Sequence, residues 1–231
     1  MEVTAAQFVC GDLEKEFNHA VMRKKFSVAN GVDYFFSVLN IPAAELVSEL
    51  LARDPGPLES LDIPQYSDFE DATIRICSVL RKHSPRFYSN VDIGQWLQDD
   101  GVERTRGTNG RWGMDHSNVA RMLGLLQRGP STGHYLSCLG YVIDDVVRQD
   151  SGRTLDKMLC RLIIRSRFFW LLLRESRNTG SKVSYNGIAS TVLPSQNTVG
   201  RRKNNVRKML HFLWDNGEDE YSWLLERIRF V

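Results

Sequence analysis

Asn118-Val119-Ala120-Arg121-Met122-Leu123-Gly124-Leu125-Leu126 recurs 87 residues further on as Asn205-Val206-Arg207-Lys208-Met209-Leu210-His211-Phe212-Leu213. In both stretches apolar residues fall at helical spacing behind a polar or basic opening, so each reads as an amphipathic helix. A glycine-containing break follows each copy, and then an apolar, aromatic run. The first run is His134-Tyr135-Leu136-Ser137-Cys138-Leu139-Gly140-Tyr141-Val142-Ile143, and the second extends from Tyr221 to Val231.

A helix with a basic leading face that passes through a turn into a strand is the back half of a winged helix-turn-helix, and its repetition points to a duplicated binding module. Shorter helices precede both copies. One begins near Asn90, carries Val91, Ile93, Trp96 and Leu97, and closes at Asp100-Gly101; a basic, glycine-rich loop from Val102 to Gly113 then leads to a helix capped by Asp115 or Ser117. In the second copy a helix over Tyr185–Val192 turns at Pro194-Ser195-Gln196-Asn197 into a basic helix over Thr198–Trp214 and a terminal strand. Aligning Ile93–Leu97 with Ile188–Val192 needs an offset of 95 rather than 87, so loops of different length separate the anchors. A helix from Asp68 to His83, capped by Asp68 and stopped by Pro85, opens the first module, and a long helix from Leu155 to Ser176, broken at Asn178-Thr179-Gly180-Ser181, opens the second.

Helical patterns over Ala5–Arg23, Val32–Leu39 and Ala43–Arg53 suggest an N-terminal helical cap, and the proline-rich stretch DPGPLESLDIPQYS suggests an extended connector. The expected fold is therefore mainly α with short β wings. Its parts are a cap at 1–53, a connector at 54–67, a first winged-helix-like domain at 68–150 and a second, basic one at 151–231. This order is similar in outline to tandem winged-helix proteins such as plasmid replication initiators and regulators in mobile or defence islands. The likeness is one of element order, and no residue or activity is carried over from it.

The net charge of +2 hides an asymmetry: residues 151–231 hold 15 Lys and Arg against 7 Asp and Glu, and the remainder holds 15 against 21. A basic C-terminal third suits a polyanion, because cations that neutralise phosphates release condensed counterions. The competing reading pairs those cations with the acidic front of the same molecule. Cys10, Cys77, Cys138 and Cys160 are scattered, with no metal-ligand spacing, as expected of reduced thiols in the cytoplasm. The opening residues, with Glu2, Asp12, Glu14 and Glu16, lack the pattern of a secretory signal. The longest apolar run, Phe168 to Leu173, is too short to span a bilayer, so no membrane partner is expected.

The strongest local signal is Gly200-Arg201-Arg202-Lys203-Asn204-Asn205-Val206-Arg207-Lys208, in which five of nine residues are cationic and two are amides. Arg can form two hydrogen bonds to guanine and Asn two to adenine, while Lys supplies charge to phosphates. Arg201, Asn204, Asn205 and Lys208 fall on a common side of such a helix, with Val206, Met209, Leu210 and Leu213 inward. In the first module the matching positions are His116, Ser117, Asn118 and Arg121, and the loop cations Arg104, Arg106 and Arg111 offer phosphate contacts. Arg161, Arg165, Arg167, Arg174 and Arg177 are expected to reach solvent around an aromatic core of Phe168, Phe169 and Trp170. Trp214 and Trp223 are expected as core anchors.

No Walker loop, nucleophile elbow, HExxH or dinucleotide fingerprint is present. The carboxylates at Asp68, Glu70, Asp71, Asp99, Asp100, Glu103, Asp144 and Asp145 lack the Glu-x-Lys element of a metal-dependent nuclease, and the five histidines are isolated. The sequence thus favours a non-catalytic, cofactor-free protein that binds double-stranded DNA, with other protein subunits as further partners. A protein-interaction subunit and a nucleic-acid enzyme without a recognisable motif are the alternatives.

Overall fold

Gly11, at φ 66°, breaks the helix expected over Ala5–Arg23 into α1 (Ala5–Cys10) and α2 (Asp12–Met22). This left-handed conformation carries little steric cost for glycine. A computed structural model describes residues 1–66, 69, 71–83, 87–98, 104–129, 133–149, 152–179 and 181–231, with the backbone alone at 71 and 147–149. After α2 come α3 (Val28–Asn40), α4 (Ala43–Ala52), a 3-10 turn at Ser60–Asp62, and a π-helical turn at Asp71–Arg75 leading into α5 (Ile76–His83). Next are α6 (Asn90–Leu97), α7 (Arg106–Met122), β1 (Leu126–Arg128), β2 (His134–Leu136) and α8 (Cys138–Gln149). The chain continues through α9 (Arg153–Arg165), α10 (Arg167–Asn178), β3 (Val183–Ser184), α11 (Tyr185–Ala189) and α12 (Gln196–Asn216) to short α13 (Asp219–Ser222), α14 (Leu224–Arg227) and β4 (Ile228–Arg229). The protein is thus mainly α with a few short strands. The features expected at Asp68, Glu70, Pro85, Asp99, Asp100, Gly101, Val102, Glu103, Pro130, Ser131, Thr132 and Gly180 lie outside the described residues.

Two compact units divide the chain. The first contains Met1, Gly11–Phe36 and Asp68–Ser151; the second contains Glu2–Cys10, Ser37–Ser67 and Gly152–Val231. Residues 1–53 therefore form no separate body, and the segment at 54–67 packs as part of the second unit.

In the first unit the expected glycine-rich loop is helix from Arg106 onward. Thr105 Oγ1 accepts the Thr108 amide at 3.2 Å and starts α7 nine residues before Asp115. Gly107, Gly110 and Gly113 recur every third residue, which places them along one side of the helix. A Cβ at Gly113 would stand 1.9 Å from the Asn90 carbonyl oxygen, and one at Gly94 1.8 Å from that of Asn109. Gly94 and Gly113 therefore let the α6 and α7 backbones touch.

Ser89 closes a capping box with Asp92 and starts α6 at Asn90, near where a helix was expected to begin. Beyond α7, β1 and β2 form an antiparallel hairpin, and Tyr88 bridges to His134. The strand expected over His134–Ile143 stops at Leu136. Asn18 then accepts the Cys138 amide at 2.8 Å, and the remaining residues form α8. The core holds Ile76, Leu80, Ile93, Val119, Leu123, Leu126, Leu136 and Val142.

In the second unit Ser166, extended at φ −65° and ψ 140°, splits the expected long helix into α9 and α10. Phe168, Phe169 and Trp170 are core, as the apolar spacing suggested. Arg161, Arg165, Arg167 and Arg174 depart from expectation because they hold the N-terminal segments of this unit. Arg161 is fully buried and donates to Glu218 Oε2 at 3.0 Å and Oε1 at 2.7 Å, to the Ile41 carbonyl at 2.7 Å and to the Val38 carbonyl. Arg165 donates to the Phe8 carbonyl at 2.7 Å and lies over its ring, Arg167 pairs with Asp62 at 3.0 Å, and Arg174 pairs with Asp54 at 3.3 Å. Arg177 is exposed and covers the Trp223 ring at 4.6 Å. The run from Tyr221 forms helical turns, with strand only at Ile228–Arg229, and β4 pairs with β3 in parallel.

Candidate nucleic-acid interface

The cationic run that the sequence singles out lies on α12 in the second unit. Ser195 accepts the Thr198 amide at 3.3 Å and starts the helix, while Val199, Val206, Met209, Leu210 and Leu213 bury its inner side. At about 100° per residue, the outer arc is centred on Asn204, with Arg201 and Lys208 to one side and Arg207 to the other. All four are exposed.

The remaining predicted residues border that arc, where they are tied to the chain itself. Arg202 is half-buried and donates to the carbonyls of Ser60 and Ile63, the latter at 3.1 Å. Asn205 donates to the Pro64 carbonyl at 3.3 Å, and Lys203 to the Phe230 carbonyl at 3.1 Å. Arg202, Lys203 and Asn205, all expected as DNA contacts, are thus half-buried anchors to the chain itself. A polar group withdrawn from water needs partners, and the carbonyls of Ser60, Ile63, Pro64 and Phe230 supply them at these positions.

The charge pattern separates the two readings of the basic third. Lys157 pairs with Glu218 at 3.1 Å, and Arg161, Arg167 and Arg174 also meet carboxylates. Arg201, Arg207 and Lys208 have no ion pair to a carboxylate among the described residues. Arg201 reaches Thr198 Oγ1 at 3.5 Å, and the Arg207 guanidinium lies over the Phe230 ring at 4.8 Å. Internal compensation therefore accounts for part of the charge on α9 and α10 and leaves positive charge on α12.

The first unit distributes its predicted residues differently. Arg106 and Arg111 are exposed on the N-terminal half of α7, while Arg104 and Arg121 are half-buried. His116 and Ser117 are fully buried and Asn118 is buried, so these three do not form the base-reading surface expected of them. His116 Nδ1 donates to the Trp112 carbonyl at 2.8 Å. The cause is register: Asn118 lies in the final turns of α7, whereas Asn205 lies midway along α12. The capped starts, Thr105 and Ser195, correspond better than the nine-residue echo does.

His134 joins the hairpin to α6, donating from Nε2 to Asn90 Oδ1 at 2.9 Å. Burial, with further contributions from Arg121 and Arg128, pulls its pKa down to about 4. Arg128 itself is exposed on β1 and was missed because a two-faced strand of three residues gives no periodic signal. Trp214, expected as a core anchor, is 45% exposed; Trp223 is half-buried, donating to the Glu220 carbonyl at 2.8 Å. Among the described residues, no group of three or more His, Cys, Asp or Glu side chains is arranged to hold a metal ion, and no single helix is long and apolar enough to cross a membrane.

No protein-family profile, curated protein or solved structure matches the chain.

Proposed function

We propose that this chain is a non-catalytic, cytoplasmic DNA-binding protein that grips duplex DNA through the exposed face of α12. On this reading it acts as a regulator, a replication initiator or a subunit of a mobile-element or defence system. The carrying observation is the exposure of Arg201, Arg207 and Lys208 without carboxylate partners among the described residues, in a unit whose other helices match several cations internally. Arg201 and Lys208 approach phosphates or guanine edges from one side of Asn204, which is suited to pair with adenine.

Element order supports the same reading. In the first unit α5, the bridging residue Tyr88, α6, α7 and the β1–β2 hairpin follow one another as in a winged helix-turn-helix, with exposed Arg106, Arg111 and Arg128 as its available cations. The second unit keeps the paired helices α11 and α12 but has helical turns and a parallel strand in place of a hairpin.

The direct test titrates a fluorescent duplex, chosen by selection from random sequence, with the wild-type chain and with an Arg201→Ala/Asn204→Ala/Lys208→Ala variant. Affinity is expected to fall at least about tenfold, given 1–3 kcal/mol for a good base contact, with thermal unfolding unchanged. Equal affinities would overturn the assignment. Arg202 and Lys203 are left intact because their bonds to Ile63 and Phe230 would confound binding with packing.

A further inference from the structure

Trp214 occupies the flank of α12 that bears Arg207, seven residues and therefore about two turns further along. Its 45% exposure is unusual in a helix whose inward apolar side chains are buried. His211, also exposed, lies between the two along the helix. The Arg207 guanidinium is held over Phe230 at 4.8 Å, yet the residue remains exposed, so the cation retains a surface for a second planar group. Phe230 is itself braced by the Tyr185 ring at 5.5 Å and by the Lys203 bond to its carbonyl. Asp215 falls on the Lys208 side of the arc and leaves the Arg207 flank cationic.

Arg207 and Trp214 are about 10 Å apart along the helix axis, from 1.5 Å of rise per residue. A cation stacked on a ring, followed by an open indole, is the chemistry that holds unpaired bases, since every nucleobase offers a π face while phosphates seek the positive charge. Paired bases inside a duplex do not offer that face. We propose that the Arg207–Trp214 flank of α12 binds unpaired nucleotides, so that the preferred ligand is duplex DNA bordered by a single strand. This inference rests on the duplex-binding reading above and adds a second component to its ligand.

The experiment compares a blunt duplex with the same duplex carrying a short oligothymidine tail, titrated into the wild-type chain, Trp214→Ala and Trp214→Phe. The tailed DNA is expected to bind about five- to a hundredfold more tightly to the wild type, the range of one stacked base. Trp214→Ala should lose that advantage while keeping its blunt-duplex affinity, and Trp214→Phe should retain part of it. Equal binding of tailed and blunt DNA by the wild type, or a tail advantage that survives Trp214→Ala, overturns the inference and leaves the duplex reading standing. Failure to bind either DNA overturns both.

Discussion

Arg161 has the same side-chain chemistry as Arg165 and Arg174, yet it alone of the three is fully buried. Its guanidinium meets both Glu218 oxygens and the carbonyls that end α3 and precede α4. Burial pushes the Glu218 pKa up, but the Arg161 bonds and charge, helped by Lys157 and Tyr221, outweigh it and leave the carboxyl below its ordinary value. Replacing Arg161 with Met removes the main partner of a half-buried carboxylate. The expected loss is about 3 kcal/mol, read as a lower urea midpoint. The amphipathic pattern gave no means to find this pair, because Glu218 lies 57 residues away in the sequence. His134 makes a second prediction at this scale. Its pKa falls from the ordinary 6.5 to about 4 in the folded chain. The unfolded chain binds the extra proton first, so the His134 contribution is complete above about pH 6.5 and is lost as pH falls toward about 4. Thermal unfolding across this window should show that decline, and His134→Gln should flatten it.

At the scale of elements, α7 turns on glycines whose composition suggested a loop. Sequence alone registers the helical cost of glycine but not the neighbouring backbone that makes it necessary. Gly113→Ala should destabilise the chain by about 2 kcal/mol or more, as an overpacked contact does, because the new Cβ would collide with the Asn90 carbonyl. Gly107→Ala meets only Thr105 Oγ1 at 4.0 Å and should instead stabilise by roughly 0.5–1 kcal/mol. Opposite shifts in melting temperature check the assignment; parallel shifts contradict it. The helix α12 and the C-terminal half of α7 were legible from apolar spacing, as was β2 at the start of the run from His134. The breaks at Gly11 and Ser166 were not, since an apolar period runs through each.

Over the whole molecule, the sequence disclosed the charge asymmetry but not how it is distributed. Part of the basic excess is matched within the second unit, where Asp54, Asp62 and Glu218 meet arginines, while the α12 face remains open. The division into units was also hidden, because the chain contributes α1 to the second unit, α2 to the first, and then returns to the second near Ser37. No local composition marks such crossings; they arise from long-range packing. The exposed α12 cations make the strongest claim at this scale, and salt dependence tests it through the phosphates they neutralise. The measurement is the slope of log affinity against log salt for duplex DNA, with the wild-type chain and with Arg201→Ala/Lys208→Ala. The account predicts steep weakening with salt for the wild type and a slope shallower by about two for the variant, at roughly 0.9 per phosphate contact. Coincident slopes and affinities for the two proteins would contradict it.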